Sequence, residues 1–451
     1  MRKGFDRRVV VTGIGVITSL GIEHAEVFER LCKGENGIKT IRRFNTEAIR
    51  SKIGGIIEDF DPSLIISDRN GLRALRLTDW VQTLAMCSIE KAWLDSGLAP
   101  GKYDPERTGI FMGAGRGGYD ALTTMLGADL KQLDAYFRDL MNDGSGNERA
   151  AVRLDKLLAR ASTLINPLMF LQQCPCLVSA YSAIRYDARG PSLTNVNLCS
   201  ASSQSIGEAA WVISRGDADV MVAGGADSML NPIELTAFCN LDAVSGKNDP
   251  ETASRPFDYK RDGCVVGEGA AAMILEERNH ALARGVSIYA ELLGYGSSSD
   301  AYKIQAPPPN GRGAVSAMRA ALAHARLRPE DIDHVNAHGT STPLNDKTET
   351  SALKEVLGPR AYEIPVVSTK SSTGHLIAAA GALEAVIAVK ALEEQRVPPT
   401  RNFEHRDPRC DLDYVPEGQR SMPGLRTVLS NSFAIGGTNS CLIFGHPVAE
   451  T

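Results

Sequence analysis

Leu198–Ile213 reads LCSASSQSIGEAAWVI, and Ser372–Val389 reads STGHLIAAAGALEAVIAV. Each is a turn of small, hydroxyl-bearing residues that holds one reactive side chain, Cys199 or His375. Each then runs into an alanine-rich helix. Working outward from these two turns, short apolar β-branched runs recur: Arg8–Thr12, Thr108–Met112, Asp219–Gly224, Ala270–Leu275, Ile288–Gly296, His334–Ala337, Pro365–Thr369, Thr427–Ser432 and Ser440–Phe444. Helical periodicity lies between them, at Asp79–Ser96, Ser203–Arg215, Gly313–Ala325, Lys347–Leu357 and Gly381–Glu393. Strands bounded by glycine-rich turns and alternating with helices predict an α/β fold. The pattern also hints at duplication. VVVTGIGVIT near the N-terminus and IYAELLGYGSS at 288–298 would open two halves. AAAMILE at 270–276 and SCLIF at 440–444 would close them.

The chain has 451 residues, of which 43% are hydrophobic and 23% charged, an ordinary balance for a soluble globular protein. Two interlocked domains of roughly 200 residues each are expected. A net charge of −5 speaks against nucleic-acid binding and suits a partner met through a local basic patch. Nine cysteines scattered through apolar runs predict free thiols in a reducing compartment, not a disulfide framework. The apolar run near the N-terminus is short and broken by Gly13 and Gly15, so it reads as a first strand, not a signal peptide. No stretch reaches membrane-spanning length. A cytoplasmic protein without a membrane segment is expected. From Asp120 to Asn166 the chain turns charged and helical, which predicts a two-helix excursion from the main fold.

Four segments carry candidate chemistry. Cys199 precedes a helix start, where unpaired N–H groups and the helix dipole favour thiolate and can hold an oxyanion. His338, in DHVNAHGTSTPLND, ends a strand and faces the crevice where α/β proteins bind ligands; Thr340, Ser341 and Thr342 beside it suit an amide-bearing ligand. In STKSSTGHLIAAAGALEAV, Lys370 sits between apolar flanks and predicts burial beside a carboxylate, with Glu384 as candidate partner. In SNSFAIGGTNSCLIF a strand ends at Phe433 and turns at Gly436–Gly437, offering a backbone N–H and a movable aromatic ring.

Taken together, these segments resemble the elongating (type II) β-ketoacyl-acyl carrier protein synthases of the thiolase-like superfamily. GDADVMVAGGAD and RPFDYKRDGCVVGEGAA match as well, in the family's order, so the resemblance covers nearly the whole chain. It implies a five-layered α/β/α/β/α core of two similar halves, here 1–287 with the nucleophile and 288–451 with the two histidines; the helical insertion at about 120–166 has no clear equivalent in the common bacterial pattern. It implies that Cys199 is acylated, that His338 and His375 stabilise the enolate left by loss of CO2, and that Lys370, paired with Glu384, orders the site. It assigns the oxyanion hole to the N–H groups of Cys199 and Phe433, the gate to the Phe433 ring, and contacts with the phosphopantetheine arm to Thr340 and Thr342. It implies no cofactor or metal beyond the substrate's own phosphopantetheine, an acyl carrier protein as partner, and a homodimer or a heterodimer with a related subunit.

The reaction so implied is decarboxylative Claisen condensation of a Cys-bound acyl group with malonyl-acyl carrier protein. Three departures bear on the acyl chain. Ser202 stands where relatives commonly carry glycine. Ala434–Ile435 stands where Gly–Phe is usual, which predicts a stiffer gate. Arg116 stands beside the expected acyl pocket, and a buried arginine is costly unless paired. With the insertion, these favour a specialised polyketide- or polyene-type chain over the other reading, fatty-acid elongation. The alternative is a non-catalytic, chain-length-determining subunit. A thiolase would need a second catalytic cysteine, for which Cys441 lies in an unsuitable strand. A cysteine hydrolase would need an acid orienting a single histidine.

Overall fold

The computed structural model describes residues 5–115 and 168–447. Arg116 and the Asp120–Asn166 segment therefore lie outside the described residues. The first half runs β1 (Val9–Ile17), α1 (Trp80–Asp95), β2 (Thr108–Ala114), α2 (Leu177–Tyr186), β3 (Ser192–Asn195), α3 (Ala201–Ser214), β4 (Val220–Asp227) and β5 (Gly269–Glu277). The second repeats that order with β6 (Ala290–Ser299), α4 (Arg312–Ala325), β7 (His334–Asn336), α5 (Asn345–Leu357), β8 (Val366–Val367), α6 (Ala380–Glu394), β9 (Thr427–Phe433) and β10 (Thr438–Gly445).

The ten strands form one sheet in the order β8-β7-β9-β10-β6-β1-β5-β4-β2-β3. Each half contributes five strands with the same directions: two parallel pairings at the outer end, then antiparallel ones toward the middle. The halves meet in a short antiparallel contact, Val9–Val11 against Ala290–Leu292. Helices α3 and α6 pack against each other and against strands of both halves. Helix α1 lies on β1 and β5, and α4 lies on β6 and β10. The layers are therefore α/β/α/β/α, as the resemblance implied.

Sequence explains this layering locally. Helix α6 buries every residue from Ala380 to Leu392. A helix buried all round is packed on every side, so it must be the middle layer. The outer helices approach their strands closely because of paired glycines. A Cβ at Gly15 of β1 would lie 2.0 Å from the Ser88 carbonyl of α1, and one at Gly296 of β6 would lie 2.0 Å from the Ala317 carbonyl of α4. GIG in β1 and GYG in β6 are thus the same device used twice. Of the elements named above, two went unread in the sequence: α2, and the short edge strand β3 with sequence SLTN, too polar to show a strand period. Among the described residues no helix is long and apolar enough to cross a membrane.

Candidate active site

Cys199 sits in a tight turn, Leu198–Ser200, that leads straight into α3. Leu198 adopts φ +47, a left-handed conformation that bends the chain sharply and leaves the next residue at the helix start. Ile377 repeats the bend with φ +46 just before α6. Ala378 follows there, in the place of Cys199, so this turn carries a thiol in only one half.

His338 follows β7 by two residues. Its N–H donates to Glu349 Oε1 at 2.8 Å, and the Gly339 N–H donates to Oε2 at 2.8 Å. Asn431 Nδ2 donates to the same carboxylate at 3.2 Å. Glu349, buried on α5, thus clamps the turn that aims His338. Sequence reasoning missed it, although an acid on the helix following a histidine turn was the available signal. His375 is fixed by its backbone: its N–H donates to Val265 O at 2.7 Å, and Gly267 N–H donates to His375 O at 2.9 Å.

These separate supports converge. His375 Nε2 lies 3.1 Å from Cys199 Sγ. The His338 and His375 ring centres are 5.3 Å apart at 82°. The sulfur and one nitrogen of each ring lie within 4.8 Å of one another. All three residues are buried and line a cavity of about 520 Å³ with Phe238, Cys264 and Ile435.

The hydrogen bonds set the tautomers. Lys370 Nζ donates to His338 Nδ1 at 3.4 Å, and Ile377 N–H donates to His375 Nδ1 at 3.3 Å. Burial first, and the Lys370 charge second, push both imidazoles well below their ordinary range, so both are neutral. A neutral ring whose Nδ1 accepts must carry its proton on Nε2. Two N–H donors therefore point toward one space. A Cys-His-His set can ligate zinc, but a ligating ring must offer a lone pair. Here that lone pair faces Lys370 and the Ile377 N–H, an arrangement suited to holding an oxyanion.

The thiol is less acidic than its helix-start position suggested. Burial pushes Cys199 up to about 12, and Lys370 with the N–H groups of Ile435 and Cys199 only partly offsets that. The second N–H facing the sulfur is Ile435's, where the resemblance had assigned Phe433. The reason is geometric. Strand β9 ends at Phe433, whose ring turns edge-on to His338 at 5.8 Å, and the backbone reaches the sulfur only two residues later. Lys370 forms a buried ion pair with Glu384 of α6; burial raises the Glu384 carboxyl and Lys370 opposes the rise. Thr340 and Thr342 place their hydroxyls 2.9 Å apart on the cavity wall.

The beta-ketoacyl synthase N-terminal domain matches residues 6–281, and the beta-ketoacyl synthase C-terminal domain matches residues 289–404. The chain belongs to the beta-ketoacyl synthase family. Family membership makes it an acyltransferase of the ketosynthase type. It is 40% identical to the 3-oxoacyl-[acyl-carrier-protein] synthase 2 of Coxiella burnetii over 438 residues, covering 97% of this chain and 98% of the relative. It is also 40% identical to the Synechocystis enzyme of the same name, with the same coverage. Among solved structures, it is similar to a type II PKS acyl-carrier protein complex with its ketosynthase bound to the hexaketide, with TM-score 0.84, 30% identity, and 98% and 100% of the two chains covered. It is also similar to the ishigamide ketosynthase/chain length factor, with TM-score 0.83, 31% identity and the same coverage. The thiolase alternative finds no support in this synthase: Cys441 is buried within β10, in a different apolar cluster from Cys199.

Proposed function

We propose that this chain is a β-ketoacyl-[acyl carrier protein] synthase in which Cys199, His338 and His375 perform decarboxylative condensation, and that the chain it extends is a specialised, polyketide- or polyene-type one. The observation that carries the reading is the convergence of one sulfur and two Nε2–H groups on a single thioester-sized space.

In the first step the Cys199 sulfur attacks the carbonyl of a carrier-bound acyl thioester. The N–H groups of Cys199 and Ile435 hold the tetrahedral oxyanion, and the carrier thiol leaves with the proton. A malonyl thioester then enters with its carbonyl oxygen between the two Nε2–H groups. The C–CO2 bond breaks, its electron pair moves into the enolate, and the two donors stabilise the oxygen's charge. Each contributes about 3 kcal/mol to lowering the barrier. The enolate carbon attacks the Cys199 thioester, and collapse expels the cysteine sulfur and leaves a β-ketoacyl thioester on the carrier. No cofactor enters this scheme beyond the substrate's phosphopantetheine, whose amides Thr340 and Thr342 would touch. Lys370 and Glu384 hold His338 in its tautomer, and the Phe433 ring gates the space between acyl and malonyl sites. The division at 287/288 gives the nucleophile to one half and both histidines to the other.

Support for a specialised chain comes from the gate and from the type II PKS ketosynthase among the structural neighbours. Ala434 lies outside the left-handed region, so its methyl group adds no strain while removing the freedom that glycine would give. A second chain, another copy or a related ketosynthase-like subunit, would pair along the β3 edge. Leu193 and Val196 there are 48% and 56% exposed. Intact-mass analysis after incubation with a panel of carrier-bound acyl groups tests the proposal. Uptake of polyene or aryl groups ahead of long saturated ones is expected, with none in Cys199→Ala. A plain preference for long saturated chains defeats the specialised reading, and condensation by Cys199→Ala defeats the mechanism.

A further inference from the structure

The loop that carries Thr340 and Thr342 does not hold its own shape. Ser341, between them, adopts φ +66, which disfavours any side chain and persists only when surroundings impose it. The surroundings are one segment, Arg255–Gly263, buried except at Tyr259, Lys260 and Asp262. The Arg255 N–H donates to Ser341 Oγ at 3.0 Å, and the Gly263 N–H donates to Ser341 O at 3.1 Å. The Arg261 guanidinium supplies the rest. Its Nε donates to Thr342 O at 3.1 Å and its Nη2 to Pro343 O at 3.4 Å.

That guanidinium is itself locked. Its side chain is only 2% exposed, and Nη1 donates to Asp407 Oδ2 at 2.8 Å and to Asp258 O at 2.8 Å. Asp346, the first acid of α5, lies 3.7 Å from Nε and accepts the Phe257 N–H at 2.7 Å. A fully buried arginine is costly unless every N–H is used. Here its donors go to backbone carbonyls of the cavity wall and to a carboxylate behind them, a rigid fork that a lysine could not reproduce.

We propose that Arg261 is a positioning residue for the carrier arm: by gripping the Thr342 and Pro343 carbonyls it fixes where the Thr340 and Thr342 hydroxyls meet the incoming phosphopantetheine. The inference rests on the reading that those hydroxyls touch the arm. Arg261 touches neither Cys199 nor the histidines, so loosening it weakens carrier binding and leaves the chemical step alone.

The test compares two malonyl substrates, one on the carrier protein and one on a simple alkyl thiol that lacks the arm's amides. Arg261→Lys should raise KM for the carrier substrate about tenfold, the weight of one or two hydrogen bonds, with kcat within about twofold. On the alkyl thioester its kcat/KM should stay within about twofold of the parent. Should Arg261→Lys fail to fold, Asp407→Asn keeps the arginine but replaces the carboxylate that Nη1 meets by a neutral amide, and should show the same split at smaller size. Equal losses on both substrates, or no KM change on the carrier substrate in either variant, overturn the proposal. Thr342→Val separates this from the reading beneath it. If that variant leaves the carrier KM unchanged, the hydroxyls do not touch the arm. If it raises KM while the Arg261 and Asp407 variants do not, the arm reading stands and the role given to Arg261 fails.

Discussion

Replacing His338 by asparagine and, separately, by glutamine distinguishes its two nitrogens. The asparagine amide nitrogen falls near the place of Nδ1, whereas glutamine reaches the place of Nε2. Lys370 Nζ donates to Nδ1 at 3.4 Å, so the proposed reaction uses the donor at Nε2. Loss of one such donor in a water-poor site costs about 3–4 kcal/mol, or roughly 10²–10³ in rate. His338→Asn should therefore release labelled CO2 from malonyl-acyl carrier protein a few hundred times more slowly than the parent, while His338→Gln should stay within roughly tenfold. The turn should survive in both, because Glu349 holds the backbone N–H groups of residues 338 and 339, not the ring. Melting temperatures measured alongside check that. Equal rates for the two variants, or an asparagine variant as fast as the parent, would refute the claim that Nε2–H stabilises the enolate.

Other consequences are checked more simply. CO2 release should stay flat as pH falls from about 8 to about 6, because burial already holds both imidazoles below their ordinary range and the N–H-donating neutral form persists; a titration centred near the free-histidine value contradicts this. Alkylation of Cys199 by iodoacetamide should accelerate about tenfold per pH unit over the neutral to mildly alkaline range, since only thiolate reacts and the thiol sits at about 12; an early plateau would mean that Lys370 and the N–H groups outweigh burial. Gly381→Ala puts a Cβ 1.9 Å from Ser203 Oγ and 2.7 Å from Ser432 Oγ, so the denaturation midpoint should fall by the equivalent of about 1–3 kcal/mol; an unchanged midpoint would show that α3 and α6 part more easily than their packing implies. Cys441→Ala should keep full acylation at Cys199, and loss of condensation in that variant would revive a two-cysteine mechanism.

Much of the architecture was legible because it follows from local periodicity. The α1 and α6 helices fall within a residue of their expected ends, and the opening strands β1 and β6 share a glycine pair that their helices require. What stayed hidden had no local signature. The edge strand β3 has only four residues and no alternation, so only its pairing with β2 makes it a strand. Glu349 reads as one more acid on an amphipathic helix until the fold brings it under His338. Ile435 offers a backbone N–H, which every residue but proline has, so no sequence pattern could prefer it over Phe433. The thiol of Cys199 shows a related limit: a helix start is visible in sequence, but the burial that opposes its effect is not.

The order of motifs alone pointed to the family, hinted at the duplicated α/β halves and, through the family resemblance, singled out the three residues proposed to react, because a set of motifs in a fixed order is legible without the fold. Tertiary structure decided which nitrogen of each imidazole carries the proton, which backbone N–H meets the sulfur, and what holds the threonine loop in place. Those depend on contacts between segments far apart in the chain: Cys199 meets a ring 176 residues away, and Arg261 grips carbonyls about 80 residues away. Distances of that kind exist only once the chain has folded.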